Sequence, residues 1–390
     1  MADAMGECLF YNAESPSKVE MIDLFAGPGG LDVAATWLGI QAVGIEHDRD
    51  ACLTRLGAKL GTRQADVCAL ELLDAFPNAR ILAGGPPCQT YSVAGSGAGR
   101  KALDQVVHFM LRMANGEDVE AELESLADIR TGLVLQPLRW TLAAIKKGRP
   151  FETIVLEQVP TVLPVWAALA AVLRKRRYDV RVGIVRTEEF GVPQTRRRAI
   201  LIACRDRPAY FPQPTHRRYR KGISREQGES GLLPWVAMSE ALPNRPYEFH
   251  VVSNYGTGGD ATARGERESN EPAATVTGKV RRNRIMSEGT EKARLDPAEA
   301  GRLQTFPIDY PWSGRGRYQQ VGNAVPPRVG AHILAAALYG ERPEEASLDD
   351  AVWGSWAATL SGEHELKRES LRQDSEAEGL FDRHFVSCEV

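Results

Sequence analysis

An apolar run that passes through a glycine-rich turn into a helix constrains the fold of this chain more than any other feature. The run Val19–Phe25 predicts a buried strand, and the turn at 26–30 leads into a helix predicted from Leu31 to Leu38. Further strands are predicted at 41–45, 80–83, 153–156 and 198–203, and a further helix at 51–60. Strands that alternate with helices predict an α/β fold with a doubly wound, mostly parallel sheet of the Rossmann-like kind. Such sheets bind ligands at the carboxyl ends of their strands.

Charge divides the 390 residues into unequal parts. Residues 205–284 hold 14 basic and 9 acidic side chains, a net charge of +5, and are rich in proline and glycine. Residues 342–390 hold 5 basic and 12 acidic side chains, a net charge of −7. We therefore predict a first α/β part, a basic inserted module, a closing α/β part and a weakly folded acidic C-terminal extension, at 1–204, 205–290, 291–341 and 342–390. Within the extension a short helix is expected near 363–372, and a charged helical insertion is expected at 100–127.

The composition of the whole chain excludes several classes of protein. The net charge of −3 is no general nucleic-acid signature, so any such signal must be local. The six cysteines are scattered without metal-type spacing, which predicts no metal site, reduced thiols and a cytoplasmic location. The first 17 residues lack the apolar core of a signal peptide, and no apolar run reaches membrane-spanning length, so no membrane partner is expected.

The glycine turn indicates a nucleotide-type cofactor. It is not the dinucleotide fingerprint, because Asp32 stands where the third glycine would be, and an acid there opposes a pyrophosphate at the helix N-terminus. Glu46, after the second strand, suits ribose hydroxyls, while Asp66 suits an exocyclic amine and Phe25 a purine ring. An adenosine without phosphates indicates S-adenosyl-L-methionine. Taken alone, these residues also fit a generic strand-to-helix turn.

A second group of residues indicates nucleophilic chemistry. Cys88 follows two glycines and two prolines, so its thiol is presented on a stiff turn. Glu157 ends a predicted neighbouring strand, and Arg196 and Arg198 share one face of another. A nucleophile needs such an acid and such positive charge nearby. Singly, each residue is explained as well by a buried cysteine, a surface acid or a solvated edge strand.

Seven sequence blocks occur together in a fixed order. They are DLFAGPGG (23–30), GIEHD (44–48), GGPPCQTYSVAG (84–95), EQV (157–159), QTRRR (194–198), RLQTFP (302–307) and YQQVGNAVP (318–326). With these blocks the chain resembles the cytosine-C5 DNA methyltransferase family of bacterial or phage type, over about residues 19–340.

The resemblance implies a role for each catalytic candidate. Cys88 would attack C6 of a cytosine flipped out of the duplex. Glu157 would contact N3 and the exocyclic amine, Arg198 the carbonyl oxygen of the base, and Arg196 would steady the loop. S-adenosyl-L-methionine would be the methyl donor. The resemblance places these residues in its pocket: Phe25, Gly27, Gly29, Gly30, Glu46, His47, Asp66, Val67, Pro87, Asn323 and Val325.

The resemblance also implies that duplex DNA is the partner. The segment 205–290 would be the target-recognition domain, and Thr90–Lys101 a mobile loop over the DNA. The candidate DNA contacts are Gln89, Ser92, Thr275, Arg281, Arg282 and Arg284. A monomer is expected, with a restriction endonuclease as partner where the chain is one half of a restriction-modification pair.

Three features of the chain depart from the family pattern. The family usually has asparagine where this chain has Gln158, Asp296–Glu299 departs from its Thr-Pro-Arg-Glu, and the insertion at 100–127 lengthens the region after the cysteine. Two other functions stay open. One is a tRNA cytosine-C5 methyltransferase of the same fold, and the other is a catalytically weakened DNA-binding regulator, which Gln158 and the acidic extension suggest.

Overall fold

The computed structural model describes residues 16–87, 97–124, 130–245, 247–256, 264–362 and 366–370. The strands in these residues are β1 Met21–Leu24, β2 Ala42–Glu46, β3 Gly61–Gln64, β4 Ile81–Gly84, β5 Thr153–Gln158, β6 Tyr178–Arg186, β7 Arg197–Arg205, β8 His250–Gly256, β9 Arg264–Glu268, β10 Arg284–Ser287, β11 Thr290–Ala293, β12 Glu341–Pro343 and β13 Arg368–Ser370. The α-helices are α1 Gly30–Trp37, α2 Arg49–Gly57, α3 Leu72–Ala75, α4 Gly97–Ala114, α5 Glu120–Glu124, α6 Arg130–Leu133, α7 Gln136–Lys146, α8 Leu163–Arg174, α9 Met238–Ala241, α10 Pro297–Arg302, α11 Arg317–Asn323, α12 Pro327–Tyr339, α13 Glu345–Trp353 and α14 Trp356–Leu360.

Seven strands form the central sheet, in the order β3-β2-β1-β4-β5-β7-β6. All neighbours are parallel except β7, which is antiparallel to both β5 and β6. This confirms the predicted doubly wound, mostly parallel sheet. Because β7 runs the other way, its first residues lie beside the last residues of β5, with Gln158 opposite Ala199. One edge therefore brings together the ends of β1, β2, β4 and β5 and the beginning of β7.

Helices cover both faces of this sheet, which explains why its inner strands are apolar on both sides. One core packs α4, α7 and α8 against the sheet and contains the buried Trp140 and Trp166. The other packs α1, α12 and α13 and contains Trp37 and Leu334. The predicted helical insertion is confirmed in its described part, since Phe109 of α4 and Leu123 of α5 join the first core.

A second, antiparallel sheet has the order β11-β10-β8-β9. It lies over a third core, to which Phe249 and Ile285 contribute from the strands. Leu303, which follows α10, and Val321 of α11 are in the same core. The basic segment of the sequence therefore folds onto residues that return to the central sheet.

The expectation of a weakly folded extension after residue 341 is wrong for its described part. α13 and α14 are ordered against the second core, and the Trp356 indole donates to the carbonyl of Ala58 at 3.0 Å. The short helix expected near 363–372 is also wrong, because Arg368–Ser370 is a strand that pairs with β12. Buried apolar residues such as Leu348 and Val352 stabilise this part of the chain, although its net charge indicated weak folding.

Candidate active site

A cleft of about 390 Å³ opens at the edge where the strands end. Its walls come from the turn after β1, the ends of β2 and β5, the segment after β4, the beginning of β7 and the segment after α11. Ten residues expected at the site from the sequence line it: Phe25, Gly27, Gly30, Glu46, Pro87, Glu157, Arg196, Arg198, Asn323 and Val325. The topology thus brings together residues that lie up to 300 positions apart in the chain.

The glycine turn contains backbone in the left-handed conformation, which most residues other than glycine rarely adopt. Phe25 has φ 59° and Gly27 has φ 54°, both in the left-handed region. A side chain on Gly27 would meet no atom of the described residues within 4 Å, so the turn borders open space among them. A Cβ on Gly30 would lie 2.1 Å from the carbonyl oxygen of Val325. Glycine at position 30 therefore lets the turn approach the segment after α11, which forms the opposite wall.

Two carboxylates give this end of the cleft its polar character. Glu46 accepts hydrogen bonds from the amides of Gly27 and Asp48, each at 2.7 Å, so its side chain is fixed beside the turn. Asp23 also lines the cleft, and its Oδ1 is buried without a hydrogen-bond donor among the described residues. Burial raises the pKa of Asp23, and the negative charge of Asp32 raises it further. Asp23 is an acceptor that sequence reasoning missed.

Asp32 does not face a ligand at the helix N-terminus, as the sequence had suggested. Its carboxylate is buried and receives Nη1 and Nη2 of Arg55 at 2.7 and 2.8 Å. Arg55 also donates to Thr62 Oγ1 at 3.2 Å. The pair lies under the turn, and the charge of Arg55 neutralises that of Asp32. The prediction that Asp32 would repel a phosphate at the helix N-terminus is therefore wrong.

Glu157 and Arg198 form the charged centre of the cleft. Glu157 Oε1 lies 2.6 Å from Arg198 Nε, and the two side chains are only 7% and 15% exposed. The N–H direction is not aligned with this oxygen, which has no hydrogen-bond donor among the described residues. The contact is therefore an ion pair with hydrogen-bonding capacity left over. A Cβ on Gly85 would lie 3.6 Å from Glu157 Oε2, so the backbone at the end of β4 packs directly beside the acid.

Gln158 holds the segment that leads to the cysteine. Its amide Nε2 donates to the carbonyl of Pro86, and its Oε1 accepts from the amide of Val159 at 2.6 Å. The side chain is buried. It thus joins the end of β5 to the backbone two residues before position 88. Cys88, Gln89 and Ser92 themselves lie outside the described residues, as do positions 90–96 of the expected loop. Positions 97–101 belong to α4, so the loop prediction is wrong there.

Arg196 is a buried junction between three segments. Nη1 donates to the carbonyl of Val276 at 2.9 Å, and Nη2 donates to those of Gly322 and Ala324 at 3.0 and 3.3 Å. Burial lowers the pKa of Arg196 to about 9, and the positive charge of Arg198 contributes. The guanidinium therefore ties the start of β7 to the segment between β9 and β10 and to the wall that carries Asn323.

Two glutamines complete this junction, and sequence reasoning missed both. Gln194 Oε1 accepts from the amide of Val276 at 2.8 Å, while its Nε2 donates to Gln304 Oε1 at 2.6 Å. Gln304 in turn donates to the carbonyl of Val321 at 2.7 Å. Both side chains are fully buried. They stand inside the blocks QTRRR and RLQTFP, and no local feature of either block marks them as partners.

Four of the expected cofactor residues do not line the cleft. Gly29 caps α1 with φ 103° and packs against Leu60. His47 and Asp66 are exposed, and Asp66 accepts from the amide of Cys68 at 2.8 Å. Val67 is buried, and its carbonyl accepts from an indole of the first core.

The candidate DNA contacts of the basic segment lie on its surface. Thr275 is exposed and donates to the carbonyl of Thr195 at 2.7 Å. Arg281 and Arg282 are exposed on a 3₁₀ turn, and Arg284 is half-buried at the beginning of β10. Within the described parts of the chain these three arginines form no ion pair.

Comparison with known proteins identifies this arrangement. The family model for C-5 cytosine-specific DNA methylase matches residues 19–110 and 144–338, which include the turn, Glu157 and both arginines. The chain belongs to this family. The match of the C-5 cytosine methylase model omits residues 111–143, which hold the end of α4, all of α5 and α6, and most of α7.

Individual relatives agree with the family. Type II methyltransferase M.AplI of Arthrospira platensis is 25% identical over 353 residues, covering 84% of this chain and 86% of the relative. Type II methyltransferase M1.HphI of Haemophilus parahaemolyticus is 26% identical, with 81% and 86% covered. The fold is that of Entamoeba histolytica methyltransferase EhMeth (TM-score 0.53, 13% identity) and of S. pombe Dnmt2 methyltransferase (TM-score 0.53, 14% identity), each covering 82% of this chain and 98% of the neighbour.

The described residues also lack two features, a metal-binding cluster and a membrane-spanning helix. Among the described residues no group of three or more His, Cys, Asp or Glu side chains is placed to hold a metal ion. None of the described helices has the length and apolar composition needed to cross a membrane.

Proposed function

We propose that this C-5 cytosine methylase transfers a methyl group from S-adenosyl-L-methionine to C5 of a cytosine that is flipped out of a specific duplex DNA sequence. The observation that carries the proposal is the Glu157–Arg198 ion pair in the cleft. It stands beside the backbone of Pro86 and Pro87, which leads directly into Cys88. A base must leave the stack to enter such a cleft, because its C5 and C6 atoms are sterically shielded in a duplex.

The chain's own residues supply activation of the base. The Cys88 thiolate forms a bond to C6, and the electron pair displaced from the C5–C6 double bond makes C5 nucleophilic. Glu157 holds a proton at N3, so negative charge does not accumulate on the ring, and Arg198 donates to the carbonyl oxygen. After C5 gains the methyl group, its proton leaves to a base such as water and the Cys88–C6 bond breaks.

The residues at the other end of the cleft fit the methyl donor. S-adenosyl-L-methionine, when bound, supplies an electrophilic methyl group. The fixed Glu46 carboxylate suits ribose hydroxyls, and Phe25 can stack on the adenine. The unpartnered Asp23 Oδ1 suits an ammonium group, and the methionine part of S-adenosyl-L-methionine carries one. Gly27 borders open space, which lets a ligand approach the backbone.

Expression of the chain in a methylation-free host tests the proposal. Bisulfite sequencing of the host DNA should show protected cytosines within one recurring sequence, and Cys88→Ala should abolish them. Duplex DNA carrying 5-fluorocytosine should form a stable covalent adduct with the wild-type chain. Fluorine replaces the C5 proton that must be removed before the Cys88–C6 bond can break. Host DNA without recurring protected cytosines, despite a folded protein, would refute DNA methylation by this chain.

The type II names of the relatives support one further assignment. The chain would be the modification half of a restriction-modification pair, acting as a monomer on DNA, with a restriction endonuclease of the same specificity beside it. Residues 205–290 would carry that specificity, with Thr275, Arg281, Arg282 and Arg284 at the DNA, and Gln89 and Ser92 beside the extruded base.

A further inference from the structure

Two arginines lie directly opposite each other on the last two strands of the central sheet. Arg186 ends β6 and Arg197 begins β7, and the antiparallel register pairs them. Directly opposed residues point to the same face of a sheet, and like charges in such a pair are destabilising. Nothing in the packing of the sheet requires two guanidiniums there, since Arg197 is exposed.

A third arginine joins them from the basic segment. The amides of Thr215 and His216 both donate to the carbonyl of Glu189 at 3.0 Å, which fixes that segment to the turn after β6. Arg218 follows two residues later and is exposed. Burial lowers the pKa of Arg186, and the positive charges of Arg218 and Arg197 lower it further, so both act on Arg186. We call Arg186, Arg197 and Arg218 the rim arginines.

The acid nearest to Arg186 neutralises this group poorly. Glu189 Oε1 lies 3.9 Å from Arg186 Nε, which is a weak contact. Burial raises the pKa of Glu189 to about 7, and the neighbouring Glu188 adds to the shift. In the described parts of the chain Arg197 and Arg218 form no ion pair. The group therefore keeps a net positive charge that the fold does not use.

The rim arginines adjoin the cleft. Arg197 stands between Arg196 and Arg198, which both line it. Consecutive Cα atoms are about 3.8 Å apart, and successive strand residues point to opposite faces. Arg197 therefore lies at the rim, on the face turned away from the bound base. Arg220 and Lys221, further along the same segment, are also exposed, so positive charge continues along the surface.

We propose that the rim arginines bind the phosphodiester backbone of duplex DNA beside the nucleotide that enters the cleft. This inference rests on the proposed function and adds a contact surface that lies on the catalytic part of the chain. Exposed cations that continue along a surface suit a polymer with regularly spaced charges better than a single small anion. Such contacts hold the strand without reading its sequence.

The test compares the full-length double variant Arg197→Gln/Arg218→Gln with the wild type. Each phosphate contact contributes about −0.9 to the slope of log affinity against log salt concentration. The double variant should therefore lose about 1.8 from that slope, and between about 50 and about 200 mM salt its affinity should fall about twelve-fold less than that of the wild type. Cognate and random duplexes should be affected alike. Glu189→Gln removes an opposing acid and should tighten binding to both.

A matched control removes two charges from the other edge of the sheet. Lys146 and Lys175 are exposed at the ends of α7 and α8, before the strands begin, and Lys146→Gln/Lys175→Gln should keep the wild-type slope. The free Arg197→Gln/Arg218→Gln protein should melt no lower than the wild type, because like-charge repulsion is relieved. An unchanged slope, or a fall in Tm that accompanies the lost affinity, would overturn the proposal. So would an effect seen with duplex RNA and not with DNA.

The test also separates this inference from the function on which it rests. A wild-type chain that methylates DNA, together with a double variant of unchanged salt slope, refutes the rim contact alone. A wild-type chain that gives no 5-fluorocytosine adduct, while the double variant loses the expected slope, refutes methylation and supports the contact.

Discussion

Gln158→Ala removes an amide that joins β5 to the backbone just before Cys88. In the folded chain this amide donates to the carbonyl of Pro86 and accepts from the amide of Val159. Truncation leaves both backbone groups without that partner in a largely buried place. We expect the segment to lose its fixed position relative to Glu157, and hence the thiol to lose its alignment with C6 of the base.

The magnitude follows from the two hydrogen bonds. A buried polar group left unpaired costs about 1–3 kcal/mol. Val159 is partly exposed and can recover a bond to water, so we expect a total cost of about 2 kcal/mol. If this cost falls on the aligned state alone, the rate of covalent attack drops about thirty-fold.

The assay is the single-turnover rate of adduct formation with a 5-fluorocytosine duplex at saturating cofactor. Gln158→Asn retains an amide and should recover part of the rate, whereas Gln158→Ala should not. The control Gln41→Ala changes an exposed glutamine at the far edge of the sheet and should leave the rate unaltered. An alanine variant that forms the adduct at the wild-type rate would refute the bracing role.

Four further outcomes are expected. Glu157→Gln should lower turnover greatly while duplex binding, measured by titration, stays nearly intact, because the proposed holding of a proton at N3 would be lost. Arg196→Lys should weaken cofactor binding about ten-fold by calorimetry, as one lost hydrogen bond to the cofactor wall implies. Asp32→Asn should lower the free energy of unfolding by about 3–5 kcal/mol in urea, because buried Arg55 loses the carboxylate charge that both its terminal nitrogens contact. Glu189 has a raised pKa, so its favourable contribution is complete below about pH 4.5 and is lost as the pH rises to about 7. Glu189→Gln should therefore be more stable than the wild type by up to about 3 kcal/mol at pH 8 and equally stable near pH 4.5, and no such convergence in denaturation curves would contradict the raised pKa.

The sequence predicted the central sheet because its strands carry strong local signals. Apolar runs bounded by glycine and acids marked β1, β2 and β5 in nearly their observed positions. The antiparallel direction of β7 was not predictable, since it depends on packing between distant elements. The order of β6 and β7 in the sheet has the same origin.

Part of the cleft was predictable and part was not. Gly27, Gly30 and Glu46 were found from local turn chemistry, whereas Glu157 and Arg198 needed the resemblance to be paired. The hydrogen bonds of Gln194 and Gln304 join residues 110 positions apart, so no local pattern reveals them. The predicted effect of Asp32 on a phosphate was wrong because its partner Arg55 belongs to another helix, which the local sequence does not reveal. Net charge likewise misjudged the tail, where a few apolar side chains decide the fold.

The junction around Val276 sets a rule for exchanging specificity between relatives. Both backbone groups of Val276 are bonded to side chains of the catalytic part, through Gln194 and Arg196. A graft that replaced this residue's segment would have to re-create those bonds, and with them the wall that carries Asn323. Chimeras that exchange 205–272 and 279–290 but leave 273–278 with the recipient should keep a working cleft while acquiring a new target. Chimeras that also exchange 273–278 should lose cofactor binding.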